Sequence, residues 1–352
     1  MIRPQEGDGN MRRRALLQAA GLALPNLALP NLALAGLTLT SLVAPGAGAQ
    51  PADWPGRPVT LLVPFVPDGA SDIVARALAP RLQERLGRPV VVENRPGGNG
   101  EIAGRLLAAA APDGHSLMVG SVGVFAINAA LRPDLAYDPV RDFAPVTLAV
   151  TTPNVLVVNP ETLPVADLAE LLDWLRAHPG RSQYATSGIG SSDHMTMELF
   201  KQRTGTDPAH APFPGGGRAT AELLAGRAAL SFQNLGTVAG PVAAGRLRAL
   251  LVTDDRRAAI LPEVPTAAEA GLADFVVTSW QAVMGPAGLP MAQRARLNEA
   301  AVAALRHPDT RTRLQRQGFT VVASDPEACA RFQEEEIDRW RQVIQAANLR
   351  AE

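Results

Sequence analysis

Short apolar runs alternate with longer stretches of helical spacing along most of this chain, and that alternation decides its fold class. The runs are Val59 to Phe65, Val90 to Val92, Ser116 to Val119, Val155 to Val158, Ala228 to Phe232 and Arg248 to Val252. Each is too short to be a helix worth packing, while the intervening segments repeat apolar residues at helical intervals. This order predicts an α/β chain with mostly parallel sheets. The C-terminal part reads as helices Met291 to His307 and Asp309 to Gln317, a strand Phe319 to Val322 and a helix Pro326 to Ala347. No long Ser/Gly linker interrupts the series, so the pattern predicts one domain or two intertwined ones.

Three of the expected helices begin in turns rich in small polar residues. Pro64-Phe65-Val66-Pro67-Asp68-Gly69-Ala70-Ser71-Asp72 joins a strand to a helix. Ser187-Gly188-Ile189-Gly190-Ser191-Ser192 precedes the run Met195 to Phe200, and Pro214-Gly215-Gly216-Gly217 precedes Arg218 to Leu224. The first N–H groups of a helix lack intrahelical partners and sit at the positive end of its dipole, so each start can hold a carboxylate or phosphate. Convergence of the three would make a site for one small anion.

Residues 1–49 carry four arginines and two acids out of 33 basic and 34 acidic residues, leaving 29 against 32 beyond them. A net charge of −3 argues against nucleic-acid binding. The remaining length, about 300 residues, suffices for two modest domains. Cys329 stands alone, which excludes an intrachain disulfide; it reads as a half-buried bystander on a surface helix from Ala328 to Trp340. Cys and His are too sparse for a tetrahedral metal site, so neither a metal nor a cofactor is expected.

Arg12-Arg13-Arg14 precedes an uncharged apolar run from Ala15 to Ala47, then the small-residue site Ala47-Gly48-Ala49 before Gln50. This is the pattern of a bacterial export signal over residues 1–49, cleaved after Ala49 to leave a periplasmic protein. It admits the general secretory or the twin-arginine route, and Met11 competes with Met1 as the start. The run is long enough for a membrane anchor, but Pro25, Asn26, Pro30 and Asn31 and the cleavage site fit export better.

The order of several segments resembles a known family. Trp54-Pro55-Gly56-Arg57-Pro58-Val59 leading into Val63-Pro64-Phe65, then Val90 to Gly100, Ala111-Pro112-Asp113-Gly114, Tyr137 to Val146, Leu261 to Thr266 and Ala268 to Leu272 fall as in the substrate-binding proteins of tripartite tricarboxylate transporters, also called Bug receptors. The resemblance runs from about Trp54 to the C-terminus. It implies a two-lobed periplasmic binding fold of the Venus-flytrap kind, type II-like, whose chain crosses between lobes near Thr152 and again near Val277. Lobe 1 would comprise residues 50–152 and 277–352, and lobe 2 residues 153–276. The implied function is capture of a small carboxylate in the interlobe cleft, by a monomer that delivers it to a membrane permease.

On that resemblance the ligand meets Phe65, Asp68, Gly69, Ala70, Ser71 and Asp72 from the first lobe. From the second it meets Ser187, Gly190, Ser191, Ser192, His194, Phe213, Gly215, Gly216, Gly217, Arg218 and Gln233. Helix capping competes with ligand contact at Ser71 and Ser192, and ligand contact is favoured at Ser191. Asp72 also reads as a first-turn acid and His194 as a packed histidine. The chain departs from the family pattern at three places. Asp68-Gly69 replaces a Gly-Gly pair, Phe213 to Arg218 lacks the usual tyrosine and lysine but adds an arginine, and Gln233-Asn234 stands where an acid is common. Arg218 could read a second carboxylate, favouring a dicarboxylate or an aromatic acid, with a solvated rim position as its alternative. An ammonium-bearing ligand loses its counter-charge.

Catalysis finds little support. Gly98-Asn99-Gly100-Glu101-Ile102-Ala103 matches a dinucleotide fingerprint but lacks the acid expected about 20 residues on. Gly114-His115-Ser116 misses the nucleophile elbow because Met118 replaces its glycine. Lys201 lies on a helix face expected to be exposed, not in a Schiff-base pocket. The chain is therefore read as a binder rather than an enzyme. Besides transport, an extracytoplasmic sensor presenting its closed form to a two-component kinase would need the same cleft.

Overall fold

A computed structural model describes residues 54–350. The expected export signal and its cleavage site after Ala49 lie outside the described residues. β1 (Val59–Val63) leads to α1 (Ala70–Leu86), β2 (Val90–Asn94), α2 (Glu101–Ala108), β3 (Ser116–Ser121) and a single turn, α3 (Asn128–Leu131). The long β4 (Phe143–Val158) follows, then α4 (Leu168–Ala177), β5 (Gln183–Thr186), α5 (Ser192–Thr204), β6 (Ala209–Pro212), α6 (Gly216–Leu224), β7 (Leu230–Asn234), α7 (Leu235–Ala243) and β8 (Arg248–Val252). The series ends with β9 (Thr278–Pro286), α8 (Met291–Arg306), α9 (Pro308–Arg316), β10 (Thr320–Val321) and α10 (Pro326–Ala346).

Every apolar run read from the sequence falls on or overlaps a strand, but the sheets are mixed rather than mostly parallel. β1 lies parallel between β2 and β3, and β5 lies parallel between β6 and β7. β3 then pairs antiparallel with β9, β9 with the first part of β4, and the second part of β4 with β7 and β8. Parallel strands need long crossovers, whereas β4 and β9 run against their neighbours and join the two halves. β10 is shorter than expected: the N–H groups of Val322 and Ala323 both turn to the Ala149 carbonyl, and Ala323 takes a left-handed φ of 53°.

The two lobes share β4. Its residues from Phe143 to Pro153 face β9, and those from Asn154 to Val158 face β7. The exchange of partners falls at a proline, which has no N–H to offer a ladder. Next to it, Thr253 ties the strands that cross between the halves. Its Oγ1 accepts from the Asn154 N–H at 3.0 Å and donates to the Val277 carbonyl, and its own carbonyl accepts from the Val277 N–H at 2.9 Å.

Alternation along the strands builds separate apolar layers. Val59, Leu61 and Val63 of β1 pack with Val74, Leu78 and Leu82 of α1, while Leu62 points to the opposite face. Likewise Val155 and Val157 join Leu223 and Val238, while Leu156 and Val158 join Phe200, Phe232 and Phe275. α10 closes the layer beneath both lobes. The buried indoles of Trp280 and Trp340 donate to Glu336 Oε2 at 2.9 and 3.0 Å, giving a buried carboxylate the partners it requires. Cys329 sits in the same layer, fully buried rather than half-buried, and burial pushes its thiol up to about 12.

Candidate functional site

The loop after β1 is held by one acid. Asp72 Oδ2 accepts from the Asp68 N–H at 3.0 Å and from Arg76 Nε at 2.8 Å, and its Oδ1 accepts from Asn94 Nδ2 at 2.9 Å. Asn94 Nδ2 also reaches the Phe65 carbonyl at 3.0 Å. Burial works against the Asp72 charge, yet the donors from Arg76, Asn94 and Asp68 outweigh it and hold the carboxyl below its usual range. Asp72 therefore shapes the turn, and Asp68, at φ 66°, is exposed on its outside. The N-cap of α1 is Gly69, which has no side chain to offer the first-turn N–H groups of Ala70, Ser71 and Asp72. Ser71 is buried, and its Oγ has no hydrogen-bond partner.

The second start is built differently. Ser191 is the N-cap of α5, with its Oγ accepting from the His194 N–H at 3.3 Å and donating to the Gly188 carbonyl at 2.6 Å. The preceding loop is fastened by Asp193, whose Oδ2 receives the Ser187 N–H, the Ser187 hydroxyl and Gln233 Nε2 at 2.7, 2.7 and 2.8 Å. Burial still raises the Asp193 pKa despite these donors. Ser192 is buried, and Asn234 Nδ2 lies 3.4 Å from its Oγ. His194 is a packed residue: its Nδ1 accepts from the Gly190 N–H at 3.2 Å, and its ring stacks on His210 at 4.1 Å. Burial drives His194 down to about 3 and His210 to about 4, so both imidazoles are neutral. Lys201 is half-buried and pinned between Glu198 and Asp207 rather than free on an exposed face.

The third start joins the second through the backbone. The Phe213 N–H donates to the Thr186 carbonyl at 3.0 Å and the Gly215 N–H to the Ser187 carbonyl at 3.1 Å. Gly215, at φ 97°, caps α6 without a side chain. A Cβ on Gly216 would lie 3.0 Å from Gln233 Oε1 and 3.2 Å from Ser187 Oγ, so glycine is what lets this helix start approach the second loop. Gly217 faces open space. Arg218 is turned away onto the surface, 60% exposed, with Nη2 2.7 Å from Glu222 Oε1.

Among the described residues, loops of the two lobes approach each other at Gly215 and at Gly190. Val66 Cγ2 would be 3.8 Å from a Cβ on Gly215, and Asn99 Nδ2 donates to the Gly190 carbonyl at 2.8 Å. The sequence reading missed Asn99, Asp193 and Val66. Asn99 falls in the family-like segment Val90 to Gly100 and in the dinucleotide-like stretch, and neither gives it a role in the site; a Cβ on Gly100 would collide with Val124 and Pro64, so this glycine serves packing. Among the described residues no group of three His, Cys, Asp or Glu side chains is placed to hold a metal ion, and no helix is long and apolar enough to cross a membrane.

Known proteins agree with this architecture. BugT of Bordetella pertussis is 37% identical over 292 residues, which cover 83% of this chain and 89% of that protein. A Rhodopseudomonas palustris protein solved with adipate superimposes at a TM-score of 0.80 with 35% identity, covering 85% of this chain and 99% of that one. MatC of the same organism, solved with bound malate, gives a TM-score of 0.78 at 35% identity, covering 83% and 100%. Residues 74–349 match the tripartite tricarboxylate transporter family receptor, a family of periplasmic substrate-binding proteins rather than of enzymes. With most of its length matched, the chain belongs to the tripartite tricarboxylate transporter receptor family.

Proposed function

We propose that this receptor captures a small organic dicarboxylate between its lobes, lobe 1 formed by residues 50–152 and 277–352 and lobe 2 by residues 153–276, and delivers it in the periplasm to a membrane permease of the tripartite tricarboxylate type. The observation that carries this reading is the start of α1, where Gly69 leaves the first N–H groups uncapped and the buried Ser71 hydroxyl has no partner. Buried donors without acceptors are costly unless something accepts from them, and a carboxylate beside a helix N-terminus does so with charge-assisted bonds. The second carboxylate belongs at the start of α6, where Gly215 provides no side-chain cap and Gly217 is open. Arg218 is engaged by Glu222, so neutral donors carry the recognition. Two relatives of similar fold hold adipate and malate, both dicarboxylates, which supports the ligand class.

A thermal-shift screen of matched mono-, di- and tricarboxylates tests the reading. A ligand that binds only the folded state stabilises by ~2.7 kcal/mol at 100 times its Kd, equivalent to a rise in Tm of about 4 °C for a protein of this size. Dicarboxylates should give the largest shifts, with zwitterionic amino acids well below them. A shift with an uncharged sugar and none with any organic anion would overturn the proposal.

A further inference from the structure

Between β2 and α2 the chain makes a tight turn, Gly98–Gly100, in which Asn99 takes a left-handed φ of 51°. A non-glycine residue in that region is uncommon, and asparagine tolerates it better than most. The turn presents the Asn99 amide to the other lobe. Its Nδ2 donates to the Gly190 carbonyl at 2.8 Å and to Asn128 Oδ1 at 3.1 Å, using both of its hydrogens. Because Gly190 offers only a carbonyl oxygen there, the nitrogen of the amide must face it.

The surroundings are shaped around this one side chain. A Cβ on Gly123 would lie 2.8 Å from Asn99 Nδ2, and a Cβ on Gly190 would lie 2.9 Å both from that atom and from Leu131 Cδ2, so glycines from two distant segments leave room for the amide and, at Gly190, for the Leu131 side chain as well. Asn128, wholly buried, returns a hydrogen bond from its Nδ2 to the Asn99 carbonyl at 3.2 Å and lies 3.3 Å from the Tyr137 hydroxyl. That hydroxyl donates to the Val124 carbonyl at 2.8 Å. The Gly190 backbone is thus held on both sides of its Cα, by Asn99 at its carbonyl and by His194 Nδ1 at its N–H.

We propose that Asn99 is the latch of the closed receptor: a positioning residue whose amide, steered by Asn128 and Tyr137, fixes the Ser187–Ser192 loop against the first lobe and biases the cleft toward closure. Its service to ligand capture rests on the function proposed above, but its effect on closure does not. Opening the lobes breaks the Asn99–Gly190 bond while the bonds to Asn128, within the first lobe, stay intact.

The test is a distance measurement between spin labels on cysteines introduced at the exposed positions Arg105 of α2 and Ala221 of α6, made without added ligand. Asn99→Gly keeps the left-handed backbone and removes the amide. Asn99→Asp keeps the shape but places an acceptor against the Gly190 carbonyl. In the wild type a short, closed-form distance should be populated, and Asn99→Gly should lower the closed-to-open ratio about three- to tenfold, the factor expected for one ordinary hydrogen bond. Asn99→Asp should lower it further. Distance distributions that coincide in all three proteins, or a wild type with no short distance, would overturn the latch. Because no ligand enters the measurement, a receptor that binds no carboxylate could still pass it.

Discussion

The helices α1 and α5 start in loops that look alike in sequence, small residues and serines after a strand, yet the structure uses them in opposite ways. At α5 the helix has a side-chain cap, Ser191 Oγ taking the His194 N–H, and the Ser187 N–H, Ser187 hydroxyl and Gln233 Nε2 are all spent on Asp193. At α1 the cap is a glycine, Asp72 is occupied with the turn, and Ser71 Oγ is buried without a partner. A serine at a helix start therefore says little about ligand contact until its acceptors are counted. On the function proposed above, the start of α1, with its uncapped N–H groups and free Ser71 hydroxyl, takes the anion, and the α5 loop supports it.

The largest test of this contrast lies in the scaffold. Asp193→Ala strips the acceptor from the Ser187 N–H, the Ser187 hydroxyl and Gln233 Nε2 in a buried place, and should lower the unfolding free energy measured in urea by about 3 to 5 kcal/mol. A loss below about 1 kcal/mol would show that the α5 loop does not depend on this carboxylate.

Smaller in size but sharper in logic is the paired exchange of the two serines. Ser191→Ala removes a cap and should cost ~1 kcal/mol of stability. Ser71→Ala removes a hydroxyl that has no partner in the protein, so stability should stay within about 0.5 kcal/mol, while the Kd for a bound dicarboxylate rises roughly tenfold, the worth of a hydrogen bond to a charged group. Calorimetry and urea titration on both variants check this. If Ser71→Ala binds as wild type does, the α1 start is no more a ligand site than the α5 start.

The smallest effect comes from making the two starts alike. Gly69 has φ −80°, open to any residue, and a Cβ there would meet only the Val66 carbonyl at an ordinary 3.5 Å. Gly69→Ser should supply the missing cap and raise stability by a few tenths of a kcal/mol. The same hydroxyl competes with the anion for the first-turn N–H groups, so affinity should fall as stability rises. Stability and affinity moving up together would break the comparison.

How much of this was legible in the sequence depended on the range of each interaction. β1, β2, β3 and β8 announce themselves as runs containing Val or Leu, and β7 through the apolar stretch Ala228 to Phe232. β5 and β6 do not, because four residues containing Gln183, or His210 and Pro212, carry too little apolar pattern. β9 was missed for a related reason: Ser279 and Gln281 are polar yet buried. Strand direction is not a local property, which is why the antiparallel pairings of β4 and β9 were not foreseen. In the site, the glycine and serine loops were readable from helix-start chemistry. Asn99 was not, since its partner Gly190 lies 91 residues away. Arg218 reads from the sequence either as a ligand contact or as a solvated rim residue, and it is exposed and paired with Glu222, one turn on.

The exchange of partners along β4 also sets an order of events as the chain emerges from the ribosome. β3 and the first stretch of β4 acquire the strand between them only when β9, beginning at Thr278, has been made. Until then the N-terminal lobe has two bare strand edges and cannot finish, although synthesis usually favours folding from the N-terminus. The first lobe to begin is thus the last to be completed, and a nascent receptor stays an open chain for most of its own synthesis.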